Sequence, residues 1–113
     1  MPNQGDVVLI PVPFTDLTSQ KRRPVIVISN DAYHQSCMDM VVVAMTSNPT
    51  VTPYSFRITS ADLTLGALNR PGTVRVDKIY TLANSLIVKT FGRVSDATLE
   101  RIRKLLNDLT DTN

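Results

Sequence analysis

Apolar residues recur with strand-like spacing along most of the chain and with helical spacing only near its end. The run Val7-Val8-Leu9-Ile10-Pro11-Val12 follows Gly5-Asp6 and is rich in β-branched residues, which predicts a strand. Pro11 and Pro13 place the end of that strand at a sheet edge or outside the sheet, because proline donates no ladder hydrogen bond. Phe14 to Arg22 reads as a polar surface loop. A second strand is expected over Pro24–Ile28, followed by Ser29-Asn30-Asp31, which can cap a short helical turn through Ala32-Tyr33-His34. Met40 to Met45 is apolar at every position, the pattern of a strand buried on both faces.

Beyond Met45, Thr46-Ser47-Asn48-Pro49-Thr50 interrupts the apolar pattern as a loop, and Tyr54-Ser55-Phe56-Arg57-Ile58 alternates as a half-buried strand does. Asn69-Arg70-Pro71-Gly72 has turn chemistry and leads into a strand from Thr73 to Tyr80. A last strand is predicted over Leu86–Phe91, closed by Gly92. Leu99, Ile102, Leu105, Leu106 and Leu109 then fall on one stripe of a terminal helix capped by Ser95 or Asp96. Short strands, tight turns and one closing helix predict a mainly β fold: a small, strongly bent antiparallel sheet or barrel.

With 113 residues the chain is expected to form a single domain, 1–113, large enough to bury a core. A hydrophobic content of 42% with 19% charged residues fits a globular protein and excludes a disordered one. The one cysteine, Cys37, excludes an internal disulfide and a cysteine-based metal cluster. No apolar run reaches the ~20 residues of a membrane helix, and the first residues lack signal-peptide character, so a soluble cytoplasmic protein is expected. The net charge of +2 is small, but Lys21, Arg22 and Arg23 are consecutive. Such a cluster either attracts nucleic acid or is a solvated loop.

The candidate chemistry lies on two of the strands. Arg23 stands immediately before Pro24, and Arg75 and Asp77 are two apart, hence on one face. A guanidinium grips phosphate oxygens through its planar fork, and a carboxylate beside it means acid–base work on a phosphodiester or merely an ion pair. Asp77 has a conflict as a base. Its unperturbed pKa of ~3.9 is low, and Arg75 beside it lowers it further. His34 is expected to be a surface residue. Phe14 and Tyr54 are candidates for stacking on bases, whereas Phe56 is expected in the core. Without further information Thr46 reads as a turn residue bonding its own backbone.

Gly5-Asp6-Val7-Val8, Arg22-Arg23-Pro24-Val25-Ile26-Val27-Ile28, Ala44-Met45-Thr46-Ser47, Thr73-Val74-Arg75-Val76-Asp77 and Thr81-Leu82 occur in an order that resembles the MazF/PemK toxin family. The resemblance covers nearly the whole chain and is closest to the PemK-like branch. It implies an SH3-like, strongly bent barrel with a short helical insertion and a C-terminal amphipathic helix. It further implies a homodimeric endoribonuclease that cleaves single-stranded RNA to 2′,3′-cyclic phosphate and 5′-hydroxyl ends, without metal or other cofactor.

The partner implied is an acidic antitoxin laid along the basic side, with which such toxins also bind DNA. On the matching positions Arg23, Thr46, Arg75 and Asp77 are the catalytic candidates, with Lys21, Arg22, Ser47, Phe14 and Tyr54 as RNA-binding candidates. Some PemK-like members carry a histidine in the first loop, and Phe14 to Arg22 has none. Two rival readings remain: a gyrase poison of the related CcdB family, and a barrel that binds RNA or protein without cleaving. The first depends on a terminal aromatic-containing segment, whereas this chain ends Thr110-Asp111-Thr112-Asn113 and has no Trp.

Overall fold

The computed structural model describes residues 1–11 and 22–112. Seven strands form one antiparallel sheet: β1 (Asp6–Pro11), β2 (Arg22–Val27), β3 (Asp39–Thr46), β4 (Ser55–Ile58), β5 (Leu63–Gly66), β6 (Gly72–Ala83) and β7 (Lys89–Val94). Their order across the sheet is β4-β6-β3-β2-β1-β7-β5, which leaves β4 and β5 as edges of a curled half-barrel. Helix α1 (Asp31–Ser36) is the short insertion between β2 and β3, and α2 (Asp96–Thr110) follows β7.

The central strands are apolar because both faces of the sheet are covered. Val7, Ile26, Val43, Met45, Phe56, Val74 and Ile102 belong to one core, against which Leu105 and Leu106 of α2 also pack. Val8, Ile10, Val25, Val27, Met40 and Val42 form a second core on the opposite face, with Leu82, Leu86 and Ile87 against it. Alternate residues of β1, β2 and β3 therefore enter different cores, as the two-residue period of a strand requires. For β3 this is the two-sided burial expected from its unbroken apolar run.

The terminal helix starts where the capping signal lies: Ser95 Oγ accepts from the Thr98 amide at 3.2 Å. Likewise Asn30 Oδ1 accepts from the Tyr33 amide at 2.9 Å and starts α1. Asp6, in the first strand's opening Gly-Asp pair, is buried and accepts from Arg93 Nε at 3.0 Å, tying β1 to β7.

Several expectations are corrected. His34 is not a surface residue. It is 2% exposed, and its Nε2 lies 2.6 Å from Ser29 Oγ, which accepts from the Val41 amide. The short helix turns its histidine inward, where the ring Nδ1 has no hydrogen-bond partner and the Asp31 carboxylate stands 3.9 Å away. The last strand begins at Lys89, not Leu86, because Asn84–Leu86 is a 3-10 turn that sends Leu86 and Ile87 onto the second core. Gly92 does not close that strand but lies inside it. It faces Gly66 of β5, an edge strand too short to stand out in the sequence. A Cβ on Gly92 would lie 2.1 Å from the Leu65 carbonyl oxygen, and Gly66 has φ +77°, so the two chains meet only because both residues lack side chains.

That close approach makes a stability prediction. Gly92→Ala should force β5 away from β7 and lower the unfolding free energy by about 1–3 kcal/mol, the usual cost of overpacking. Urea denaturation measures it, and a midpoint equal to that of the unmodified protein would contradict the steric account.

Candidate functional site

The strand register brings three of the four catalytic candidates together. Val25 pairs with Ala44 between β2 and β3, and continuing that register by two residues sets Arg23 opposite Thr46. On the other side of β3, Ala44 pairs with Arg75 and Thr46 with Thr73. Directly paired residues share a face. Arg23, Thr46 and Arg75 therefore lie on one face, at one end of the second core.

They rim a cavity of about 470 Å³ whose floor is made by Ile10, Val25, Ala44 and Leu82 and whose walls include Asn48, Lys78 and Tyr80. A second cavity of about 470 Å³ adjoins it at Arg23 and Thr46, and reaches Arg22, Ser47 and Arg70. Together they make a groove across the end of the sheet. No carboxylate or imidazole lines either part among the described residues.

Thr46 is fixed by the turn that follows it. Its Oγ1 accepts from the Asn48 amide at 3.2 Å, the local backbone bond expected of a turn residue. That bond uses the oxygen as an acceptor and leaves the hydroxyl proton available to a ligand. The turn is held in turn by Thr73, whose buried hydroxyl donates to the Asn48 carbonyl at 2.7 Å and accepts from Arg57 Nη1 at 2.8 Å.

Arg75 and Asp77 meet as two parallel hydrogen bonds, Nε to Oδ1 at 3.0 Å and Nη2 to Oδ2 at 2.9 Å. This is the forked geometry of the strongest ion pairs. The pairing raises the pKa of Arg75, chiefly through the hydrogen bond to Asp77. In return the Arg75 guanidinium holds the Asp77 carboxyl below the ordinary value of 3.8. Asp77 does not line either cavity, whereas Arg75 does. The conflict foreseen for Asp77 as a base is therefore present in the geometry.

The remaining candidates divide. Arg22 and Ser47 line the second cavity. Tyr54 is half-buried and lines neither, while Phe56 is in the core beneath the Arg101 guanidinium, 4.3 Å from the ring centroid. Phe14 and Lys21 lie outside the described residues. Sequence reasoning missed Lys78 and Tyr80, for a definable reason. The β3–β6 register skips from Val43–Ile79 to Ala44–Arg75, so Val76, Asp77 and Lys78 have no partner on β3. A simple alternation cannot be carried across such an irregularity.

With this geometry in place, comparison with known proteins decides the family. Residues 3–110 match the family described as PemK-like, MazF-like toxin of type II toxin-antitoxin system. The chain belongs to that family. Its structure is similar to MazE-MazF (Form-III) from Deinococcus radiodurans, at 26% identity over 96% of this chain and 94% of that one, with TM-score 0.73. It is also similar to an endoribonuclease from a mycobacterial species, at 25% identity, covering 95% and 88% of the two chains, with TM-score 0.74. A mycobacterial endoribonuclease in complex with its cognate antitoxin shares the fold at 22% identity, 96% and 93% coverage and TM-score 0.74. No curated protein sequence matches the chain. No helix among the described residues is long and apolar enough to cross a membrane.

The ion pair predicts a titration. Because the folded pKa of Asp77 is depressed, the pair stabilises the fold above the ordinary carboxylate value and loses that contribution as pH falls through the depressed one. An NMR titration of the Asp77 carboxyl should give a midpoint below 3.8, and Arg75→Gln should raise it. An unmoved midpoint in that variant would place the cause elsewhere.

Proposed function

We propose that this chain is the toxin of a toxin–antitoxin pair and acts as a sequence-specific endoribonuclease on single-stranded RNA. The observation that carries the reading is the convergence of Arg23, Thr46 and Arg75 on one rim of a groove in a chain of the PemK/MazF family. Similarity to a mycobacterial endoribonuclease supports it.

The chemistry follows from the groups present. Attack of the ribose 2′ oxygen on the adjacent phosphorus forms a P–O bond and breaks the bond to the 5′ oxygen. The products are a 2′,3′-cyclic phosphate and a 5′-hydroxyl. Negative charge grows on the phosphoryl oxygens, and Arg23 and the carboxylate-held Arg75 stabilise it without losing a proton. Thr46 donates its hydroxyl proton to a phosphoryl oxygen. Asp77 acts through Arg75, holding the guanidinium in one orientation, and is a positioning residue in this reading. The 2′ proton leaves to water and the 5′ oxygen gains one from water, consistent with a groove whose described lining has no imidazole or carboxylate.

The reaction needs no metal ion or cofactor in this reading. Among the described residues no three His, Cys, Asp or Glu side chains are grouped to hold one. The working unit is a cytoplasmic homodimer. An acidic antitoxin segment covers the cationic groove and blocks it, a reading supported by the similar mycobacterial endoribonuclease being in complex with its cognate antitoxin.

Incubation with a long single-stranded RNA in EDTA, with the cut ends mapped, tests the reading. Defined fragments with cyclic-phosphate and 5′-hydroxyl ends are expected. Arg23→Ala should lower kcat by roughly a hundredfold to a thousandfold, the usual loss of one charge-stabilising donor. Full activity in the double variant Arg23→Ala, Thr46→Ala would sink the site assignment. Asp77→Asn should cost far less than the roughly hundredfold to ten-thousandfold of a lost general base. Intact RNA at high protein concentration would favour the binding-only or gyrase-type readings.

The dimer has its own check. Light scattering should give twice the 12.5 kDa chain mass, and a persistent monomer at micromolar concentration would remove dimerisation from the proposal.

A further inference from the structure

Beyond Arg23 and Thr46, which it shares with the first cavity, the second cavity has no role in the chemistry described above, and its charge is unbalanced. Arg22, Arg23 and Arg70 all line it. No carboxylate joins them there, and none of the three has an ion-pair partner among the described residues. By contrast Arg75, Arg93 and Arg103 are each neutralised by a carboxylate at 2.9–3.1 Å. Three guanidiniums with no carboxylate partner among the described residues repel one another around one concavity and raise its affinity for an anion.

Arg70 is also held in place on both sides. Two residues before it, the Leu68 amide donates to Ser60 Oγ at 2.9 Å, and that hydroxyl donates back to the Leu68 carbonyl at 3.2 Å. Leu68 itself packs against the first core. Ser60 is fixed by the 3-10 turn Ser60–Asp62, which Thr59 and Asp62 close with a reciprocal capping box. Two residues after Arg70, Gly72 enters β6 and pairs with Ile58. A Cβ on Gly72 would lie 2.9 Å from Met45 Sδ, so the glycine lets the Met45 side chain pack closely against this end of β6. The arginine thus leaves a clamped turn, not a free loop.

We propose that Arg70, with Arg22, forms a phosphate subsite for a nucleotide next to the cleaved bond. The inference rests on the ribonuclease reading and extends it. The two cavities meet at Arg23 and Thr46, the pair assigned to the scissile phosphate, so a strand crossing that ridge enters one cavity on each side. The first cavity has the aliphatic floor suited to a base or ribose. Both are lined by three cations, but the second, with Arg22, Arg23 and Arg70 and no such aliphatic floor, is the one suited to the backbone alone. Because the neighbouring phosphate carries the same charge before and after cleavage, its grip strengthens binding and leaves the chemical step nearly unaffected.

Two measurements on the full-length protein test this. Binding of a fluorescent, fully 2′-O-methylated single-stranded oligoribonucleotide, which cannot be cleaved, is followed by anisotropy from low to high salt. Arg70→Ala should reduce the slope of log K against log salt by about 0.7, the contribution of one single-strand phosphate contact. Arg70→Lys should retain it. With cleavable RNA, Arg70→Ala should raise KM several-fold with kcat little changed, since a uniform binding contact has been removed.

A wild-type slope and KM in Arg70→Ala, in a preparation where the unmodified protein cleaves RNA, would overturn this inference alone. An unmodified protein that neither binds nor cleaves RNA would overturn both it and the ribonuclease reading. Weakened binding of polyglutamate with unchanged RNA binding would assign the patch to an acidic protein instead.

Discussion

The groove depends on a break in register between two neighbouring strands. From Asp39 to Val43, β3 pairs with β6 from Ala83 back to Ile79, and from Ala44 to Thr46 it pairs with Arg75 back to Thr73. Val76, Asp77 and Lys78 are left over on β6. Extra residues bend the strand that carries them and increase its twist. The bend lets the first part of β6 take β4 as a second neighbour, through the pairs Gly72–Ile58 to Arg75–Ser55, while the later part continues along β3. It also coincides with Lys78 standing in the cavity wall, beyond the same-face pair Arg75 and Asp77. A regular ladder would give a flatter sheet.

The arginines at this site are in two electrostatic states. Arg75 is neutralised by a forked carboxylate contact, with side chains only 28% and 32% exposed. Such a pair adds little stability at a partly solvated site but restricts the guanidinium to one geometry. Arg22, Arg23 and Arg70 have no such restraint among the described residues, and their field extends into the groove. Fixed and free cations suit different tasks. In the ribonuclease reading, Arg75 holds a fixed position for charge that develops during reaction, Arg23 adds to it, and Arg22 and Arg70 attract and retain a strand. In that reading salt acts more strongly on capture than on chemistry.

Much of this was legible because strand periodicity and capping are local. The run Met40–Met45 states its own two-sided burial, and Ser95 before a leucine stripe states its own helix. Arg23, Thr46 and Arg75 were legible as separate residues, but their convergence follows from pairing across β2, β3 and β6, which no local pattern contains. Three failures share that origin. His34 looks polar and exposed, yet one turn of helix is enough to bury it against β3. Gly92 looks like a terminator, yet it is a contact point with an edge strand twenty-six residues earlier. Leu86 and Ile87 look like the start of a strand, and their apolar character serves a lid over the second core. In each case the residue type was read correctly and the partner was not.

The distribution of aromatic residues bears on how the groove distinguishes bases in the ribonuclease reading. Phe56 is committed to the first core under Arg101, and Phe91 packs against the same core with Lys89 5.2 Å from its ring centroid. Tyr33 sits edge-on to His34, and Tyr54 lies outside both cavities. Among the described residues, Tyr80 is the aromatic side chain lining the groove. Stacking reads every base nearly alike, so one ring supports attachment more than choice. Discrimination then falls to groups that donate and accept in fixed directions: Asn48, Thr50 and Thr52 on the wall of the first cavity, all in the segment after Thr46. The Asn48 amide donates to Thr46 Oγ1, its carbonyl accepts from Thr73, and its side chain accepts from the Thr50 amide at 3.0 Å. The loop that would read the bases is thus bonded directly to the hydroxyl that would touch the phosphate, which couples recognition to the placement of the reacting group.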